Sequence, residues 1–185
     1  MMTAGPAVAL LLFLFFIPFQ SAAAQEGPGC GPSNLKLSVK TRGGEHTLPA
    51  PDPGRSLLVF LQDDFKFYSR PRPTTRFGVD GTWVGATQGN SYFSIWIDPG
   101  EHDVCANWQN RVSFGIPIRP TSATKFTAEP GQVYFFRARD VGKAADNDDP
   151  VAHPAFAEVH LEPVDNNEAR VLIRSFRFSS SHSKK

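Results

Sequence analysis

The chain has 185 residues, and its 19 Lys and Arg against 18 Asp and Glu leave a formal charge of +1. That balance excludes the one-signed field of a dedicated nucleic-acid binder or a polybasic membrane-surface protein. A hydrophobic content of 41%, with 12% aromatics, is too rich for a disordered chain and fits a globular domain.

Residues 1–24 are set aside before the fold is read. Ala7 to Ile17 is an unbroken apolar run, Pro18 interrupts it, and Ser21-Ala22-Ala23-Ala24 puts small residues before a cut after Ala24. This is the pattern of a secretory signal peptide, although the segment carries no Lys or Arg. A membrane span needs about 20 apolar residues, so the run is short for the competing reading, a retained anchor. Cys30 follows Gly27-Pro28-Gly29 well past the apolar run, which argues against lipidation. The expected location is the periplasm or the extracellular space. In such an oxidising compartment Cys30 and Cys105 are expected to pair, the competing reading being two buried free thiols. The bond would close a loop of about 75 residues, worth roughly 4 kcal/mol in the chain-entropy model.

Residues 25–54 read as an N-terminal strand with a Pro/Gly-rich connection. Leu35-Lys36-Leu37-Ser38-Val39-Lys40 alternates with period two, as a half-buried strand does, and Pro49, Pro51 and Pro53 mark an extended surface connection. From 55 to 178 a sandwich domain is expected. Leu57 to Gln62 is continuously apolar up to its last residue, which suits a central strand covered on both faces. Arg76 to Gly85 reads as a hairpin around Asp80-Gly81. A turn at Gly89-Asn90 precedes Ser91 to Ile97, and the turn Asp98-Pro99-Gly100 precedes Glu101 to Trp108, where Val104, Ala106 and Trp108 share one face. Further strands are read at Thr124 to Ala128, at Val133 to Arg139 after Pro130-Gly131, and at Phe156 to Pro163 after the polar loop Gly142 to Pro154. Asp165 then caps a helix with Glu168 three places on, running to about Ser175, with Val171 and Leu172 packing on the sheet. Residues 179–185 read as a frayed, disordered tail. Strands at this spacing between Gly and Pro turns predict an all-β fold, an antiparallel sandwich of about seven to eight strands with one C-terminal helix.

The order of Leu58-Val59-Phe60, Val79-Asp80-Gly81-Thr82-Trp83-Val84-Gly85, Gly89-Asn90-Ser91-Tyr92-Phe93, Asp98-Pro99-Gly100-Glu101-His102, Gly131 to Arg137 and Leu161-Glu162-Pro163-Val164-Asp165 resembles exported bacterial proteins of domain-of-unknown-function family 2846. Leu57 to about Ser175 carries the likeness, which leaves Cys30 and its strand outside it. The resemblance implies a small β-sandwich of the cell envelope with no established activity. Members are often lipoproteins, and this chain departs from them in having no lipobox.

The residues offer little catalytic chemistry. Asp98, Glu101, His102 and Asp103 are ligand types within six positions, but Pro99-Gly100 makes the span a turn, and alternation separates His102 from Asp103. Asp146-Asn147-Asp148-Asp149 lacks the glycine and distal glutamate of a calcium loop. No GxSxG elbow or Gly-rich phosphate loop is present, and the five histidines form no i, i+4 pair. No cofactor is indicated. Large aromatics remain as candidate partner-binding residues: Trp83, Tyr92, Trp96 and Trp108, with core packing as the competing use. The expectation is a non-catalytic envelope module that binds a protein or glycan partner, no nucleic acid, and keeps no stable transmembrane span after signal cleavage. The alternative is an envelope hydrolase or metal-dependent enzyme using Asp98, Glu101 and His102.

Overall fold

The computed structural model describes Met1 and residues 30–44, 47–50, 52–63, 73–109, 118–144 and 154–184. The apolar run at 7–17, the cut after Ala24 and the Asp146 to Asp149 loop lie outside the described residues. The described elements, in chain order, are β1 (Leu37–Arg42), β2 (Ser56–Asp63), β3 (Thr74–Val79), β4 (Thr82–Gln88), β5 (Ser91–Ile97), β6 (Gly100–Trp108), β7 (Ile118–Arg119), β8 (Thr121–Ala128), β9 (Val133–Ala144), β10 (Pro154–Pro163), α1 (Asn166–Ser175) and β11 (Arg177–Ser183). They form the expected all-β sandwich: a seven-stranded sheet ordered β1-β11-β5-β2-β9-β10-β7 faces a four-stranded sheet ordered β4-β3-β6-β8.

The run Leu57 to Leu61 has no polar face because β2 lies mid-sheet, antiparallel to β5 and parallel to β9, with both of its faces covered. Alternation divides its side chains between two apolar layers. Leu58 and Phe60 enter the core between the sheets with Phe77, Phe93, Val104, Ala106, Trp108 and Phe136. Leu57, Val59 and Leu61 face the other way, into a layer with Tyr92, Phe135, Ala169 and Phe176 that α1 covers. Phe135 and Phe136 point oppositely, one into each layer.

α1 begins where Asp165 accepts the N–H groups of Asn167 and Glu168 at 2.8 and 3.3 Å. Ala169 is fully buried beneath it, and Leu172 and Ile173 pack on the layer. Val171 does not pack as expected: it is 66% exposed, because Ala169, Leu172 and Ile173 occupy the inward stripe.

Two expectations are corrected by β11. The tail from 179, expected to be frayed, instead pairs antiparallel with β1 from Leu37↔Ser183 to Arg42↔Phe178. Ser179 is buried, and its hydroxyl donates to the Ala86 carbonyl at 2.8 Å. A serine-rich run has no hydrophobic period, so here backbone pairing and hydroxyl bonds substitute for apolar alternation. The same pairing inserts β1 into the main sheet, so residues 37–42 belong to the sandwich. Together with the two-residue β7 beside β10, these pairings raise the strand count among the described residues to eleven from the seven or eight expected.

Candidate functional site

The turn-bound carboxylates and histidine are brought near one another and then parted. Asp80 takes φ 49° and Gly81 φ 76°, which closes the tight β3–β4 hairpin and aims the Asp80 carboxylate at β6. His102 Nδ1 donates to Asp80 Oδ2 at 2.7 Å, and its Nε2 donates to the Asp98 carbonyl oxygen at 2.8 Å. Asp80 Oδ1 also accepts the Asp103 N–H at 2.9 Å. Burial disfavours charge on the imidazole, but the bonds to Asp80 and Asp98 outweigh it and hold the His102 pKa above its ordinary value. Burial likewise works against the Asp80 carboxylate, and the His102 and Asp103 bonds draw its pKa below the usual range.

Glu101 points to the opposite face and accepts from Lys125 at 3.1 Å, with Asp103 at 3.9 Å from the same ammonium. Asp98, Glu101 and His102 therefore do not converge on one pocket. Asp98 meets the histidine only through its backbone carbonyl. Among the described residues, no three His, Cys, Asp or Glu side chains are grouped as a metal ion needs.

The four candidate aromatics do not form a strip. Tyr92 and Trp108 are 2% and 4% exposed and are removed from any binding face. Alternation sends Tyr92 under α1, and Trp108 enters the central core, where its indole N–H donates to Asp140 at 2.7 Å. Trp83 and Trp96 are half-buried, each beneath a guanidinium: Arg76 lies 4.2 Å from the Trp83 ring centroid, and Arg55 lies 4.9 Å from that of Trp96.

Trp83 belongs to a clamp on the N-terminal segment. Cys30 and Cys105 form a disulfide with 5.6 Å between Cα atoms. Gly78 carries no side chain where the Cys30 carbonyl oxygen rests, since a Cβ there would meet that oxygen at 2.2 Å. The Trp83 indole donates to the Pro32 carbonyl at 2.9 Å, and the Arg76 guanidinium bonds the Leu35 carbonyl and Asn107. Burial pushes the Arg76 pKa down. Gln109 then bonds both the N–H and the carbonyl of Leu37, holding the start of β1.

A different surface sets positive charge beside apolar side chains. Between residues 43–44 and 47–50 on one side and the end of α1 on the other lies a groove of about 760 Å³. Gly43, Gly44, Leu48 and Pro49 form one wall, Val133, Ile173 and Phe176 supply apolar lining, and Arg170, Arg174 and Arg177 supply charge. Leu48, Val133 and Ile173 are partly buried against the helix-covered layer, so the lining continues the second core outward. Arg170 donates through Nε to Asn166 at 2.7 Å, which fixes its stem and leaves the guanidinium fork. Among the described residues, none of these three arginines has an acidic partner. The i, i+4 spacing of Arg170 and Arg174 was the available sequence signal, but it reads equally as a solvated helix face. The facing wall lies more than a hundred residues away in the chain, so nothing local announced it.

No helix among the described residues is long and apolar enough to cross a membrane. No family model, curated protein or solved structure matches this chain, so the functional reading rests on its own residues.

Proposed function

We propose that this chain is an exported, non-catalytic module of the cell envelope that binds a partner through the groove beside α1. The observation that carries the reading is the groove itself: three arginines without acidic partners among the described residues stand over an apolar lining. Pockets that combine apolar walls with a few convergent polar groups are the usual form of a recognition site. The signal-like segment before Gln25 and the Cys30–Cys105 bond support export, since structural disulfides persist in oxidising compartments. The titratable side chains read as catalytic candidates are engaged in joining turns and strands. His102 bridges two turns and Glu101 pairs across to Lys125.

The test is affinity capture by the protein recovered from its own envelope, run beside an Asp98→Ala/His102→Ala double variant. The expected result is one identified partner that rebinds when purified, with wild type and double variant alike. Recovery of no partner overturns the reading. So does turnover of an envelope substrate that the double variant loses, which would establish the enzyme alternative.

A further inference from the structure

We infer that the groove beside α1 takes an extended acidic peptide segment whose carboxylates meet Arg170 and Arg174 and whose intervening apolar side chains rest on Ile173 and Leu48. The inference rests on the binding reading above and names its ligand. Arg170 and Arg174 are four residues apart on one helix, so they are neighbours on its surface, offset by about 6 Å along the axis. In an extended peptide, alternate side chains share a face at a spacing of about 6.6 Å. A segment with acidic residues at every second position therefore presents carboxylates in step with the two guanidiniums. Arg177, the first residue of β11, also lines the groove.

The guanidinium fork matches a carboxylate in two parallel hydrogen bonds, which an ammonium does not. The other half of the peptide's alternation falls on the apolar lining, where Ile173 and Leu48 are only partly covered by the protein itself. A volume of about 760 Å³ lies within the usual range for ligand sites, which run from about 300 to 1,000 Å³. Two other polymers fit less well. A nucleic acid is held by a broad basic field, and a chain of net charge +1 supplies none. A glycan is met by open ring faces, and the groove's aromatic, Phe176, is 7% exposed.

The experiment is a fluorescence-anisotropy titration of the disulfide-intact protein with a short labelled peptide alternating Glu and Leu. The same peptide with Gln for Glu, a sulfated polysaccharide, and the variants Arg170→Gln/Arg174→Gln and Arg170→Lys/Arg174→Lys are run beside it. Saturable binding of the Glu–Leu peptide to wild type is expected. It should weaken about tenfold or more for the Gln variant and for the Gln peptide, with the Lys variant between, because two charge-assisted bonds are lost. Both arginines are exposed, so the variants should melt with wild type. Absence of binding by the Glu–Leu peptide, equal binding by the Gln variant or the Gln peptide, or tighter binding of the polysaccharide each overturns the inference. An envelope partner that binds wild type and the Gln variant equally would overturn the groove assignment while leaving a non-catalytic binding module standing.

Discussion

His102 and Asp80, 22 residues apart in the chain, join two turns: the imidazole donates from Nδ1 to the carboxylate at 2.7 Å and from Nε2 to the carbonyl of Asp98. Both ring nitrogens face oxygens that only accept, so the ring satisfies both only as the imidazolium. The Phe126 ring packs beside it at 5.9 Å, and the His102 side chain is 13% exposed. The β3–β4 hairpin and the β5–β6 corner are thereby fastened by one proton.

That proton gives the stability a pH window. The folded His102 pKa is raised above 6.5, so its contribution is fully present below about pH 6.5 and is lost as pH rises through the folded value. Asp80 acts at the other end. Its pKa is lowered, so its contribution is present above the ordinary carboxylate range and is lost as pH falls through the depressed value. The gap in melting temperature between wild type and His102→Gln should be widest at about pH 5 to 6 and close toward alkaline pH. An NMR titration of His102 with its midpoint at or below about 6.5 would contradict this.

The Cys30–Cys105 bond closes a loop with a sequence separation of 75. In the chain-entropy model its removal costs roughly 4 kcal/mol. Cys30→Ser should lower stability by about 2–5 kcal/mol in denaturant and also free the segment that the Trp83 and Arg76 bonds hold. Thiol titration of the unreduced, unfolded protein should find no reactive thiol. Two per chain would remove the bond.

Much of this architecture is legible in the sequence, for a physical reason that also marks where legibility ends. The run at Leu57 to Leu61, the alternation at Val104, Ala106 and Trp108, and the Asp165 cap each signal a local rule, and each holds in the fold. Which turns stay within a sheet is not local. Asp80-Gly81 joins β3 to its neighbour β4, whereas Gly89 at φ 68° and Gly131 at φ 74° carry the chain from one sheet to the other. All three present a positive-φ glycine, and only the packing of the strand that follows tells them apart. The same limit hid the groove, whose arginines and whose Leu48 wall meet only once β1 and β11 have paired.

Gly78 tests how tightly the N-terminal segment is seated. An alanine there places its Cβ 2.2 Å from the Cys30 carbonyl oxygen and 3.0 Å from the Cys105 sulfur, so backbone must move. Gly78→Ala should destabilise by about 1–3 kcal/mol, the range for an overfilled interior. In a Cys30→Ser background the segment is free to lift, and most of that loss should vanish. An equal loss in both backgrounds, measured by a double-mutant cycle, would locate the strain elsewhere.

Arg137 offers a test in which two ways of breaking one cluster have unequal costs. Its guanidinium donates to Glu162 at 2.6 and 3.0 Å and to Glu168 at 2.7 Å, linking β9 to β10 and to α1. The Arg137 side chain is 10% exposed, while Glu162 and Glu168 are 38% and 51% exposed. Burial opposes the cation, and the two glutamates more than offset it, raising its pKa. Arg137→Met leaves two carboxylates that water can reach and should cost about 1–2 kcal/mol, the worth of the lost charge-assisted bonds. Glu162→Ala/Glu168→Ala instead leaves a buried cation without its counter-charges and should cost about 3 kcal/mol or more. Urea denaturation should therefore rank wild type above Arg137→Met and Arg137→Met above the double variant. The reverse ranking would mean that the guanidinium reaches water in the folded protein and that the cluster is held by packing of the arginine stem.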